Sequence, residues 1–410
     1  MSVYIRRTLE NAFLEANKYY PVLALCGQRQ VGKSTMLNYL KEKDRKYVTF
    51  DDAVARNLAK KDPALFFETY GTKLIIDEFQ RVPEILIEIK RIVDENALNG
   101  KEKFGLIWLT GSQKFLMMKN ISDTLAGRVG IFLLSSFSQR ELAKSSSSLF
   151  LPNVNALKKR RHLNSLSNIH SVYNEIFLGG MPRLRTSKIP RERFFMDYVN
   201  TYLERDIHDL EQVGKLDDFY NFLVCMAART GQELKYDDIS KNIGVSAPTV
   251  KSWISILERS GIIYILKPYY ENITKRIVKT PKVYFLDTGL AAYLCRWPTA
   301  ETLEKGAMSG AFFETFVVSE IVKSYYNIGK ELNIYYYRDI DKKEIDLLFV
   351  DADGITPVEI KKAKSPNDVE KNFKVLEKLG KKIKTGFVIC MADELMPCNR
   401  YIYLCPIGLI

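Results

Sequence analysis

Apolar residues near the start of the chain gather in short runs separated by polar and turn residues. The runs are Pro21–Cys26, Tyr47–Phe50, Lys73–Ile76, Leu106–Thr110 and Gly130–Leu134. Helical stretches lie between several of them, Lys33–Lys43 and Pro83–Glu95 among them. Buried apolar strands alternating with helices predict a parallel sheet in an α/β domain.

The pattern changes at Ala143–Arg161, where the serine run Ser145–Ser148 and the basic cluster Lys158–Arg161 predict a loop or linker. From Ser171 to Phe222 the spacing is helical, broken at Gly179-Gly180-Met181-Pro182. A third composition begins near Gly231, and a fourth near Val278, where strand and helix signals mix again. A chain of 410 residues is too long for one core, and no internal repeat divides it. The expected division is 1–150, 151–225, 226–277 and 278–410.

Composition narrows the class. The hydrophobic share of 46% is that of a soluble globular protein. No apolar run approaches the ~20 residues of a membrane span, and the N-terminus lacks the apolar core and cleavage site of a secretory signal. A soluble, cytoplasmic protein with no membrane partner is expected. Six cysteines without a C-x-x-C pair fit reduced thiols, and three histidines argue against a histidine metal site. The net charge of +12 favours a polyanionic partner, with DNA foremost. A charged surface that serves only solubility accounts for the same number.

One motif carries definite chemistry. Gly27, Gln28, Arg29, Gln30, Val31, Gly32, Lys33 and Ser34 match G-x-x-x-x-G-K-[ST] at every fixed position, with Thr35 adjoining. Glycines let such a loop curl until successive backbone N–H groups face phosphates, where a helix N-terminus adds favourable potential. Lys33 would bring a point charge to the β and γ phosphates of ATP, and Ser34 a hydroxyl to Mg²⁺. Leu74-Ile75-Ile76 then lead into Asp77 and Glu78 at a strand end. There Asp77 can hold Mg²⁺ through water, while Glu78 can polarise the attacking water. Ser112, in Leu109-Thr110-Gly111-Ser112, could orient that water, or serve as a helix cap.

Together with Asp77-Glu78-Phe79-Gln80, Thr110-Gly111-Ser112 and Leu125-Ala126-Gly127-Arg128, the loop resembles the AAA-type ATPases of bacteria and archaea that carry a C-terminal nuclease-like domain of unknown function. The resemblance covers nearly the whole chain. It implies a P-loop NTPase domain with a five-stranded sheet in the AAA order. It also offers Arg128 as a γ-phosphate arginine acting within or between subunits, with a surface or packing role as the alternative. Such relatives often form rings, so an oligomer is one expected state; a monomer fits the sequence equally well.

Tyr236–Ser246 reads as a helix and glycine turn, and Ala247–Gly261 as a second helix with Val250, Trp253, Ile254 and Leu257 on one face. With Ile262–Leu266 as a following strand, this resembles a winged helix-turn-helix. DNA contact through Ser246, Thr249, Lys251, Lys275 and Arg276, or packing as a spacer against the ATPase, are the two readings. Arg183 and Arg185, beside the Gly179-Gly180 turn, could form a lid that senses nucleotide, but a connection between helices explains them with less.

The last segment places Glu314 in an apolar helix, Asp346 at the start of a strand, and Glu359-Ile360-Lys361 on another. Glu359 and Lys361 share one strand face. Two carboxylates and an ammonium together could hold Mg²⁺ and position a water. The order looks like the restriction-endonuclease-like PD-(D/E)xK core, with Glu314 as its helical acid and Glu314, Asp346 and Glu359 as metal ligands. It departs from that pattern in having Ile345 rather than proline before Asp346. The expected function is a Mg²⁺-dependent ATPase acting on DNA, with nuclease activity open. The alternative is a nucleotide-dependent switch that binds a protein and keeps an inactive C-terminal domain.

Overall fold

The computed structural model describes residues 4–101, 103–111, 124–145, 149–202, 216–270, 280–339, 341–366 and 372–410. Ser112, Lys275 and Arg276 lie outside them.

The five apolar runs form strands β1 (Val22–Cys26), β2 (Lys46–Thr49), β3 (Leu74–Asp77), β4 (Ile107–Thr110) and β5 (Val129–Leu133). They pair in parallel in the order β2-β3-β4-β1-β5. Every residue of β1, β3 and β4 is buried, as a sheet covered on both faces requires. Successive residues feed opposite cores. Val22, Ala24, Ile76 and Leu109 pack with Phe66, Ile85 and Ile89 on one side. Leu23, Leu25, Ile75 and Trp108 pack with Leu9 and Phe13 on the other. The second core does not stop at the first sheet: it continues through Tyr173, Phe195, Trp253 and Phe316 to Val358 and Phe387. One apolar continuum therefore runs from the first sheet into the helical region and the last sheet, whose other face has a core of its own around Ile345, Leu348 and Val388.

The predicted helical region comprises Ile169–Leu178, Pro182–Thr186, Arg191–Tyr202 and Leu216–Ala227. The stretch read as a loop, Ala143–Arg161, contains a short helix, Val154–Lys158. Asn153 caps it by accepting from the N–H groups of Asn155 and Ala156, and Leu157 is buried. One cap and one apolar anchor were enough to order a segment whose composition reads as linker.

Helices Tyr236–Ile243 and Ala247–Arg259 flank Gly244, whose φ of 78° suits the left-handed turn between them. Ser246 accepts from the Thr249 N–H at 3.2 Å, and Pro248 occupies the first helical turn. Val250, Trp253, Ile254 and Leu257 are the buried face, as the spacing predicts. Strands β6 (Gln232–Glu233), β7 (Ile263–Leu266) and β8 (Lys282–Phe285) form an antiparallel sheet in the order β6-β8-β7.

The long helix Ser309–Tyr326 precedes β9 (Ile334–Arg338), β10 (Glu344–Asp351), β11 (Gly354–Ile360), β12 (Gly386–Cys390), β13 (Met396–Pro397) and β14 (Ile402–Pro406). Their order is β13-β14-β12-β11-β10-β9. Strands β9, β10 and β11 form an antiparallel meander, and β11, β12 and β14 run parallel. β11 ends at Ile360, so Lys361 is the first residue beyond it rather than a residue of the strand.

Candidate functional site

The phosphate loop leaves the end of β1 and enters the helix Lys33–Leu40. Gly27, at φ 148°, runs so close to the neighbouring strand exit that a Cβ would stand 2.1 Å from the Leu134 carbonyl oxygen. Only glycine fits there. Gly32, at φ 91°, caps the helix start. A cavity of about 590 Å³ opens above the loop, lined by Arg29, Gln30, Val31, Gly32, Lys33, Ser34, Thr35 and Glu78. That volume lies within the ~300–1,000 Å³ of ligand sites.

The side chains around it fit a nucleotide with Mg²⁺. Lys33 Nζ donates to the Gly27 and Gln28 carbonyls at 2.9 and 2.7 Å, so its charge is held at the loop by weak, exchangeable partners. Ser34 Oγ donates to Asp77 Oδ2 at 2.9 Å. The two groups expected to share the cation therefore already meet. Tyr47 also donates to Asp77 Oδ2, and burial together with that carboxylate pushes the phenol pKa well above its ordinary value. Glu78 adopts φ 54°, a left-handed conformation that costs a non-glycine residue of order 1–3 kcal/mol. Gln80 donates to its carboxylate, fixing its direction.

Three residues are placed where the spacing did not point. Gln28 turns away from the cavity and is 3% exposed. Arg7, distant in sequence, also lines the cavity; it donates to the Val31 and Ser135 carbonyls at 2.9 and 2.7 Å and to Glu141 at 3.1 Å, bracing the loop. Arg183 lines the cavity from the helix Pro182–Thr186, where a plain connection was the simpler expectation. The Gly179-Gly180 break before it was the one available signal.

Arg128 does not reach the cavity of its own chain. Its Nε donates to Asp94 at 2.6 Å and Nη1 to the Ala126 carbonyl at 2.9 Å. A carboxylate on the adjacent helix Ile85–Leu98 gives the guanidinium a local partner, the packing role the sequence reading held as its alternative. Arg128→Ala in the monomer should leave ATP turnover within about twofold and cost at most ~1 kcal/mol, the range of partly exposed ion pairs. Steady-state turnover and a urea melt check both; a large loss of monomer turnover would restore the arginine to the site.

The C-terminal residues do come together. Lys361 Nζ lies 2.6 Å from Glu359 and 3.7 Å from Asp346. Asp346 Oδ2 accepts from the Ile360 N–H at 2.7 Å, and Glu359 Oε1 from Asn372 at 3.3 Å. Burial, then the Asp346 charge, push Glu359 up to about 8 and Glu314 to about 7. Burial works against the Lys361 ammonium, but Asp346 and Glu359 outweigh it and hold its pKa above the ordinary value.

Glu314 has partners that the sequence did not suggest. Lys282 Nζ bonds it at 3.1 Å and Tyr284 Oη donates to it at 2.6 Å, both from β8. Lys282 is 4% exposed and also meets Glu344 at 2.5 Å. Two ammonium groups thus occupy the space among Glu314, Glu344, Asp346 and Glu359. Among the described residues no three of His, Cys, Asp and Glu form a metal-ligating group.

The parallel sheet and the glycine loop that leaves β1 have the form of a P-loop NTPase domain. Residues 19–143 match the family model described as an AAA domain. Residues 169–301 and 309–410 match two models described as domains of unknown function (DUF8612 and DUF4143). An uncharacterized protein of Mycobacterium tuberculosis and one of Mycobacterium bovis are each 26% identical over 370 residues, covering 88% of this chain and 73% of theirs. Among solved structures, a Walker-type ATPase of Pyrococcus abyssi is 15% identical with a TM-score of 0.43, over 71% of this chain and 96% of its own. Cdc6p from Pyrobaculum aerophilum is 12% identical with a TM-score of 0.25, over 75% and 92%. No helix among the described residues is long and apolar enough to cross a membrane.

Proposed function

We propose that the chain is a Mg²⁺-dependent ATPase that acts on DNA through a winged helix-turn-helix. The observation that carries the DNA reading is the division of the helix Ala247–Arg259. Its apolar face is sunk in the common core, while Ser246, Pro248 and Lys251 remain exposed at its start. Lys241 and Arg259 add exposed cations nearby, on a chain of net charge +12. Ser34 and Asp77 would hold the Mg²⁺, which neutralises phosphate charge, and Glu78 would orient the attacking water.

The β meander, the parallel strands after it and the Glu314, Asp346, Glu359 and Lys361 cluster support a restriction-endonuclease-like reading of the C-terminal domain. Lys282 favours a second reading for that domain, a scaffold that does not cleave. Its ammonium neutralises the helical acid on which a metal would depend, and a buried charge already paired has little reason to exchange partners.

ATP turnover, DNA binding and nicking measured in the same tubes test the proposal. Turnover should rise when duplex or single-stranded DNA is added. Affinity should fall roughly 10- to 150-fold between 50 and 200 mM salt, for about two to four phosphate contacts. DNA nicking lost in Glu359→Ala would make the C-terminal cluster a nuclease site. Turnover indifferent to DNA, with no salt-dependent binding, would overturn the DNA reading in favour of a protein-binding switch.

A further inference from the structure

Gln28 occupies one of the motif's variable positions, yet its side chain is among the best-engaged polar groups of the loop. Nε2 donates to the Gly261 carbonyl at 2.5 Å, and Oε1 accepts from Tyr198 Oη at 3.3 Å. Its backbone carbonyl accepts from Lys33 Nζ at 2.7 Å. Three parts of the molecule therefore meet at one residue: the lysine that answers phosphate, the helix Arg191–Tyr202, and the turn that ends the second helix of the helix-turn-helix. We propose that Gln28 is a latch between the phosphate loop and that second helix, and that ATP binding opens it. The proposal rests on the ATPase reading and names its regulation.

The reasoning starts from Lys33. To meet a phosphate, its ammonium must leave the Gly27 and Gln28 carbonyls. The Gln28 carbonyl then loses its charged partner while the loop's N–H groups turn toward the new anion. Rotation of that peptide carries the Gln28 side chain with it. The partner at the far end is rigid. Gly261 sits at φ 74°, its N–H bonded to the Glu258 carbonyl at 3.0 Å, and the Ile262 N–H closes on Leu257 at 3.0 Å. A Cβ on Gly261 would stand 3.7 Å from Gln28 Cγ, so the Gln28 side chain lies directly against this turn. Movement of Gln28 is thus transmitted to the end of a helix of 13 residues. At 1.5 Å per residue that helix reaches about 20 Å. Its other end bears the exposed Ser246 and Lys251, so a small rotation at Gly261 re-aims the surface assigned to DNA.

Linkage distinguishes a latch from a static packing contact. If ATP must break the Gln28–Gly261 bond, removing that bond beforehand makes ATP binding tighter. A contact that merely stiffens the loop would do the opposite when lost. Gln28→Met keeps the shape and adds no charge. ATP affinity should rise about fivefold, the factor corresponding to one net hydrogen bond of about 1 kcal/mol. Amide exchange at 260–263 should rise on ATP addition in the wild type, and Gln28→Met without nucleotide should already show the raised rate. Tyr198→Phe, which removes the longer of the two bonds to the Gln28 side chain, should move both readouts the same way by a smaller factor.

Equilibrium dialysis with labelled ATP is run beside the exchange experiment. ATP retained by the wild type with no change at 260–263, or Gln28→Met binding ATP more weakly, overturns the latch alone. A wild type that retains no more ATP than Lys33→Ala overturns the ATPase reading itself, and the latch with it.

Discussion

Lys33→Ala is expected to lower ATP turnover by about 10²–10³-fold and to abolish stable ATP retention, while the protein stays folded. The magnitude is that of removing one preorganised group aimed at developing charge. Lys33 is buried and bonded to the Gly27 and Gln28 carbonyls. Its departure costs bonds to two backbone carbonyls, each worth about 1 kcal/mol net, so the fold should survive the change. Loss of function without loss of fold is the signature of a group held for a ligand. Turnover, dialysis and a urea melt measured on one preparation check it. Turnover near the wild-type rate would remove the phosphate loop from the chemistry.

The loop was legible because its residues are neighbours in the chain. Glycines at 27 and 32, a lysine, a serine and the strand ending in Asp77 declare themselves by spacing, and the sheet that holds them declares itself by apolar runs. What sequence did not show are pairings whose partners are remote. Gln28 and Gly261 are 233 positions apart, and Arg7 and Glu141 are 134 apart. Nothing near Gln28 marks it, since any residue satisfies the loop's own geometry there. Arg128 shows the reverse: its place in the motif was legible, but its pairing with Asp94, 34 positions earlier, was not. The C-terminal cluster was half legible. Asp346 and Glu359 lie on strands and Lys361 just past one, but Lys282 comes from β8, 32 positions before Glu314, and no spacing links it to the acids.

Lys282→Met should therefore reveal what that cluster is built for, through a pH-dependent loss of stability. Lys282 is 4% exposed and neutralises Glu314 and Glu344. Burial opposes its charge, but Glu314, Asp346 and Glu344 outweigh that and hold its pKa above the ordinary lysine value. Removing it strands carboxylates in a largely enclosed site, which costs about 3–5 kcal/mol when they are ionised. The sign with pH follows from Glu314. Its pKa is raised to about 7 from 4.5, by burial first and the Asp346 charge second. A carboxyl raised in this way contributes its full stability below the unfolded value and loses it as pH climbs through the folded one. Without Lys282 that folded value rises further, so the loss on deprotonation becomes larger. At pH 5 Glu314 is neutral in both proteins, and the deficit should shrink to the part left by the lost pairing with Glu344 and the hydrogen bonds Lys282 made, about 1–3 kcal/mol. At pH 8 the full deficit should appear. Urea midpoints at the two pH values measure it, and an equal deficit at both would mean that Lys282 packs rather than neutralises. Added Mg²⁺ makes the same experiment decisive about the metal. If the divalent ion recovers the pH 8 loss in Lys282→Met but does not stabilise the wild type, the lysine stands where a cation would bind, and the domain as built is a scaffold. Stabilisation of the wild type by Mg²⁺ would mean that the lysine yields, and that the cluster is a metal site after all.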